Sequence, residues 1–248
     1  MKTLVVMNEK GGVGKTNIVS HACWYFSERY RTLGIDLDQQ GNLSFTLGAN
    51  LAKQGSYSLF QPGGRIAATG PLTVARSSRE LLQVEQGDGS AIEVFRDNLA
   101  AMADDYDICV IDTPPALAAR TFAALLAADA VLAPIGINDY SLAGVAELLR
   151  AIKGVSDHYE REEPQFLGLI PSIFDRRSAR ERALFEALAG AVGKKLFPGI
   201  VAKRDMYAQA AGEQKPVWSF SKSTAVNAAA EEIRDVFRTV ENQMDLQQ

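Results

Sequence analysis

Apolar and polar positions along the chain alternate between short apolar runs and longer stretches with helical spacing. Lys2–Met7 is apolar and β-branched and reads as a short buried strand. A glycine-rich turn, Gly11–Gly14, follows, and a helical stretch runs from Lys15 to Tyr30. Thr32–Leu37 reads as a second strand, next to two aspartates, and Leu72–Ala75 as a third. Ile92, Phe95, Leu99 and Met102 have helical spacing within Ala91–Ala103. Asp107–Ile111 is a strongly apolar strand that stops at Asp112-Thr113-Pro114-Pro115, where the proline pair forbids continuation. The alternation goes on with a helix at Ala118–Ala128, a strand at Ala130–Ile135, a helix at Ser141–Tyr159 and a strand at Gln165–Ile170. A helix at Ser178–Ala191, a short strand at Gly199–Ala202 and a final helix at Ala225–Met244 complete it. Such alternation predicts an α/β fold with a mostly parallel, twisted sheet and helices on both faces. Gln54–Gly70 reads as a loop within one domain, and no internal repeat is present.

The length, 248 residues, suffices to bury a core without disulfides or structural metals. With 47% hydrophobic and 23% charged residues, the composition excludes wholesale disorder. No stretch approaches the ~18–20 apolar residues that span a membrane. The first apolar run is too short for a signal peptide. Cys23 and Cys109 lie inside apolar runs without CxxC or metal-ligand spacing, so they read as buried thiols of a reduced, cytoplasmic protein.

The sharpest chemical signal is Lys10-Gly11-Gly12-Val13-Gly14-Lys15-Thr16, placed directly after a strand and opening a helix. Glycines let backbone N–H groups turn toward an anion, and the helix N-terminus adds its positive dipole end. In such a loop Lys15 reaches the β- and γ-phosphates and the Thr16 hydroxyl suits Mg²⁺. Two further carboxylate motifs follow. Gly34-Ile35-Asp36-Leu37-Asp38-Gln39-Gln40-Gly41-Asn42 puts Asp36 and Asp38 on one side of a strand end, where a parallel sheet holds its ligand crevice. Ile108-Cys109-Val110-Ile111-Asp112 ends an apolar strand in an aspartate, where a carboxylate would hold Mg²⁺ opposite Thr16.

The first glycine of the standard G-x-x-x-x-G-K-[ST] pattern is replaced by Glu9, and a second lysine, Lys10, heads the loop. This lysine-headed loop resembles the deviant P-loop of the ParA/MinD superfamily of ATPases, closest to short partition ATPases. The resemblance implies a single P-loop NTPase domain over residues 1–248. It also implies ATP and Mg²⁺ as ligands, with nucleotide contacts through Lys10, Gly11, Gly12, Val13, Gly14, Lys15, Thr16 and Asn17. Lys10 would reach the phosphates of the nucleotide in a partner subunit, making an ATP-dependent sandwich dimer. Lys10, Lys15 and Asp38 would serve catalysis, with Asp38 orienting the attacking water or the metal's shell. Thr16, Asp38 and Asp112 would form the metal set, and Asp36 would hold the loop. In the family's DxDPQGN version a proline stands where this chain has Gln39. Pro171–Arg177 resembles a family segment bordering the adenine, and Arg204-x-x-Tyr207 through Val217 a later one. Because the P-loop begins at once, an operator-reading helix-turn-helix module is not expected ahead of it.

The net charge of −4 conceals an asymmetry. Arg176–Arg204 holds eight basic against two acidic residues, a net of +6, leaving −10 for the rest. That asymmetry fits a salt-sensitive, sequence-independent DNA surface or a solvated helix face with one or two adenine-side arginines, and the family resemblance implies the DNA surface. Arg177, Arg180, Lys194, Lys195, Lys203 and Arg204 are its candidate contacts. The tail from Glu231 carries two arginines against five acids, which repels anionic lipid. Its Ile233, Val236, Phe237 and Val240 read as a core-facing stripe, so no membrane partner is expected. The implied function is an ATPase that segregates DNA with a ParB-type or other activating partner, cytoplasmic and nucleoid-associated when ATP-bound. The alternative is the same switch positioning a microcompartment or chemoreceptor cluster. An iron–sulfur member is disfavoured because neither cysteine falls at a cluster-bearing loop.

Overall fold

The computed structural model describes residues 1–137 and 142–246. Its strands are β1 (Lys2–Val6), β2 (Thr32–Asp36), β3 (Leu72–Ala75), β4 (Ile108–Asp112), β5 (Ala130–Gly136), β6 (Gln165–Phe174) and β7 (Val201–Ala202). They form one sheet in the order β3-β2-β4-β1-β5-β6-β7, and every pairing is parallel. The helices are α1 (Lys15–Ser27), α2 (Asn42–Thr46), α3 (Ser90–Ala100), α4 (Ala119–Ala127), α5 (Leu142–His158), α6 (Ala179–Val192), α7 (Asp205–Gly212) and α8 (Thr224–Gln243).

Both sheet faces are covered, and the strand repeat of two explains how. Leu4 and Val6 of β1 join a core with Ile18, Val19, Ala22 and Phe26 of α1 and Ile233, Val236, Phe237 and Val240 of α8. Val5 and the following Met7 point the other way, into a core with Phe95, Leu125, Leu148 and Leu188 from α3, α4, α5 and α6. Cys23 and Cys109 fall in these two different cores, both fully buried, so they act as apolar side chains.

Element ends differ from expectation in physically readable ways. β6 runs four residues beyond Ile170, to Phe174, because a proline removes one donor but keeps its carbonyl. Pairing with β5 therefore passes Pro171 and continues to Gly136↔Ser172. α1 stops at Ser27 rather than Tyr30, since the N–H groups of Arg29 and Tyr30 both turn onto Phe26 O. α6 and α8 begin after serine caps, Ser178 and Ser223, whose side chains accept from Glu181 N and Val226 N. The expected helix start at Ser141 lies outside the described residues. α2, α7 and a 3₁₀ segment at Arg79–Gln86 had no signal in the periodicity because they are short or irregular.

The acidic tail is docked. Glu241 is buried and accepts from Tyr25 Oη (3.0 Å), Tyr30 Oη (2.7 Å) and Arg29 Nη2 (2.8 Å), tying α8 to α1. No helix among the described residues is long and apolar enough to cross a membrane. His21 is a second tie. Its Nδ1 lies 2.9 Å from Asn17 O, so Nδ1 carries the proton, and Nε2 accepts from Val217 N (3.4 Å). Trp24, Tyr207 and Trp218 meet its ring edge-on.

Burial lowers the His21 pKa to about 4 from the usual 6.5. The unfolded chain therefore takes up a proton that the fold excludes. Stability contributed fully above pH 6.5 is lost as pH falls toward 4, by about 3 kcal/mol. Urea unfolding of wild type and His21→Gln at pH 7 and pH 4 checks this. The variant's stability should drop less over that interval by about the same amount.

A candidate nucleotide-binding site

A parallel sheet brings all strand C-termini to one edge. There the loop after β1 meets the ends of β2, β4 and β6. Gly12 (φ +74°) and Gly14 (φ +87°) occupy the left-handed region that a side chain disfavours. A Cβ on Gly11 or Gly12 would meet nothing, but one on Gly14 would lie 2.6 Å from Ser172 Oγ of β6. The loop's last turn is thus pressed against β6 before it enters α1.

Lys15 is buried, and its ammonium donates to Asn8 O and Lys10 O, each at 2.9 Å. Burial lowers its pKa, while Asp112 and Asp38 act in the opposite direction. Asn8 shapes the loop further: Nδ2 donates to Pro134 O (2.7 Å) and Oδ1 accepts from Lys10 N (2.8 Å). The side chain of Lys10 heads the loop beside a cavity of about 150 Å³ that Glu9, Gly136 and Leu148 also line.

Thr16 Oγ1 donates to Asp112 Oδ2 at 2.7 Å. Asp112 is 1% exposed, and its other oxygen, Oδ1, is buried without a hydrogen-bond partner among the described residues. Asp36 stands beside it across the β2–β4 ladder. Burial first, and the Asp36 charge second, hold the Asp112 pKa well above the carboxylate range. Burial likewise pushes Asp36 up to about 6, although it accepts from Ser44 N (2.8 Å), Ser44 Oγ (2.7 Å) and Asp38 N (3.1 Å). Those bonds make Asp36 the anchor of the loop that carries Asp38. Ser77 Oγ clamps the same loop through Asp38 O (2.6 Å), and Asp38 Oδ1 caps Gln40 N. Thr113 Oγ1 donates to Val6 O (3.0 Å), fixing the end of β4 to β1.

This oxygen set fits a hard divalent cation such as Mg²⁺, which keeps several waters and takes few carboxylates. An unpartnered buried carboxylate oxygen with a raised pKa is what a cation there would satisfy. Among the described residues no group of three or more His, Cys, Asp or Glu could hold a metal ion.

Next to the loop lies a cavity of about 480 Å³ lined by Thr16, Asn17, Phe45, Ile173, Arg204 and Tyr207, among others. Ile173 adopts φ +56°, a strained conformation for a β-branched residue, at the β6 register shift that turns the strand end over this cavity. Its size and position, one side of the phosphate loop, suit a nucleoside. The six basic candidates fall into two groups. Arg177, Lys203 and Arg204 gather with Arg176 around a neighbouring cavity of about 510 Å³, and Arg180 follows in the first turn of α6. Lys194 and Lys195 follow the far end of α6, about 21 Å away along its fourteen residues. The local charge is also smaller than the segment's sum. Glu232 of α8 is ion-paired with Arg176 and Arg204, and Asp175 and Asp205 line the same cavity. Arg204 is therefore an inward, paired arginine rather than a free surface cation. Asn8, Ser44, Ser77, Ser172 and Glu232 were not legible in the sequence, since each acts through long-range contacts without a motif.

A family described as an AAA domain, AAA_31, matches residues 1–163. The chain belongs to this family, which is of ParA/MinD type. Members of the family are ATPases. Protein IncC of Escherichia coli is 36% identical over 262 residues, covering 100% of this chain and 71% of IncC. The chromosome-partitioning ATPase Soj of Thermus thermophilus is 28% identical, covering 92% and 89%. The ATP complex of McdA from Cyanothece shares the fold, with a TM-score of 0.81 at 20% identity, covering 100% and 98%.

The glycine geometry gives a graded expectation. Gly14→Ala should lose about 1–2 kcal/mol from the left-handed backbone, and more from the Ser172 contact. Gly11→Ala should stay within about 0.5 kcal/mol. Adding Ser172→Ala to Gly14→Ala should recover only the contact part, read as a double-mutant cycle in urea unfolding.

Proposed function

We propose that this chain is an ATP-dependent partition ATPase. It dimerises on ATP, binds DNA without sequence preference, and hydrolyses ATP slowly when a ParB-type or other activating protein stimulates it. The observation that carries the nucleotide part is the Thr16–Asp112 bond at the head of α1, with Asp112 Oδ1 left unpartnered inside the fold. The loop N–H groups of Gly11–Thr16 receive the phosphates. Lys15, now folded onto Asn8 O and Lys10 O, exchanges those carbonyls for the β- and γ-phosphate oxygens. Thr16 and Asp112 would hold Mg²⁺, with Asp38 supporting the metal site. Bound there, the metal neutralises charge on the β- and γ-phosphates. Asp38, on a loop pinned by Asp36 and Ser77, orients the attacking water. Lys10 reaches the nucleotide of the second subunit.

Partition is favoured over other cargo because the IncC and Soj relatives match nearly the whole chain, whereas McdA shares the fold at low identity. The exposed Arg177, Arg180 and Lys203 support the DNA contact, with Lys194 and Lys195 as a second, separate patch.

Lys15→Ala should weaken ATP binding roughly 10- to 100-fold, measured with a fluorescent ATP analogue. Retained affinity would remove the P-loop assignment. Lys10→Ala should bind ATP but lose dimerisation and hydrolysis, read by light scattering and phosphate release. Asp38→Ala should accumulate as an ATP dimer on DNA. A gel-shift assay at 50 and 200 mM salt should show affinity falling steeply as salt rises. Absence of binding at the lower salt rejects the DNA reading.

A further inference from the structure

Glu232 is a buried acid that lines neither the nucleoside cavity nor the basic cavity, yet bonds to the walls of both. Its side chain is 8% exposed. Oε1 accepts from Ala202 N (2.8 Å) and Arg204 Nε (3.4 Å), and Tyr207 Oη lies 3.3 Å from it. Oε2 accepts from Arg204 Nη2 (3.2 Å) and Arg176 Nη2 (3.0 Å). Tyr207, Ala202 and Arg204 line the nucleoside cavity. Arg176, Ala202 and Arg204 line the basic one. One carboxylate thus serves two guanidiniums, a backbone N–H and a phenol.

The members are not held equally. Arg176 has a single bond to Oε2 and is 56% exposed, while Arg204 has two bonds and is 24% exposed. Any movement that draws Glu232 toward the nucleoside side therefore releases Arg176 first. Closure of β7 and α7 around a nucleoside would be such a movement, because Oε1 is bonded to Ala202 N and Arg204 Nε and lies 3.3 Å from Tyr207 Oη.

We infer that Glu232 is a positioning residue coupling occupancy of the nucleoside cavity to the anion affinity of the basic cavity, by exchanging its hold on Arg176 for its hold on Ala202, Arg204 and Tyr207. This rests on the nucleotide and DNA readings above. Without nucleotide, Glu232 masks Arg176. With nucleotide, the guanidinium turns outward to a phosphate. Linkage requires the reverse as well: Arg176 resists the movement, so removing it favours nucleotide binding.

The test uses the full chain and two variants, with thermal melts to confirm folding. Glu232→Gln keeps an acceptor for Ala202 N and Tyr207 but drops the ion pairs. Its DNA affinity without nucleotide should rise about fivefold or more, while affinity with ATP changes little, so the ATP-dependent ratio collapses. An equal rise with and without ATP indicates mere charge removal and overturns the proposal. Arg176→Gln changes an exposed side chain and should fold normally. In the absence of DNA it should bind a fluorescent ATP analogue about fivefold more tightly than wild type. Unchanged nucleotide affinity in that variant also overturns the coupling. If wild type binds no DNA at low salt, the DNA reading of the preceding section fails. The nucleotide measurement on Arg176→Gln then decides the coupling by itself.

Discussion

A carboxylate sealed at the end of a central strand is unfavourable by several kcal/mol unless a cation or hydrogen bonds compensate it. Asp112 is in that position: it ends β4, between β1 and β2, with one oxygen bonded to Thr16 and the other without a partner among the described residues. Asp36 beside it makes the situation worse, since its like charge in a low-dielectric site raises the Asp112 pKa further. The neighbouring Lys15 ammonium eases it only in part, because Lys15 is itself buried and spends its donors on loop carbonyls. The site therefore has a built-in demand for positive charge next to a loop whose amides and lysine demand negative charge. A metal–triphosphate would satisfy both demands together.

The surrounding contacts keep that demand in place. Asn8 ties the phosphate loop to β5, Thr113 ties the end of β4 to β1, and Asp36 with Ser44 and Ser77 holds the Asp38 loop. Arg120, buried in α4, adds a bond to Leu37 O and an ion pair with Glu85. Rigid supports of this kind matter because catalytic oxygens must be placed to a fraction of an ångström. The other end of the cavity is less regular. There β6 carries a strained Ile173 and a register shift, and β7 is two residues long. The phosphate-loop end is thus held by bonds from several strands, whereas the other end rests on an irregular strand and a two-residue one.

Much of this was legible in the residues. The β1 run, Gly11–Gly14, Lys15 and Thr16 announce a phosphate loop because backbone freedom and helix polarity are local properties. Asp112 and Asp36 were recognisable because apolar strands ended at them. The stripe Ile233, Val236, Phe237 and Val240 was rightly read as core. Other features were not legible. Pro171 looked like a strand end, but pairing with β5 carried the strand past it. The basic run Arg176–Arg204 looked like one surface, but α6 separates its lysine pair from its arginines, and Glu232, 28 residues beyond Arg204, pairs with two arginines and holds Arg204 inward.

By itself the sequence determined the order of the seven strands and the six longer helices, the parallel sheet and the glycine-rich loop between β1 and α1. Those follow from periodicity, glycine spacing and residue type, all of which act over a few neighbours. Only the tertiary structure decided which charges are left to solvent and which are consumed. Asp112 is short of a partner, Glu241 is saturated by Tyr25, Tyr30 and Arg29, and Glu232 is divided among four groups. A net charge cannot distinguish these states, because the energy of an ion depends on its burial and on partners brought from distant parts of the chain.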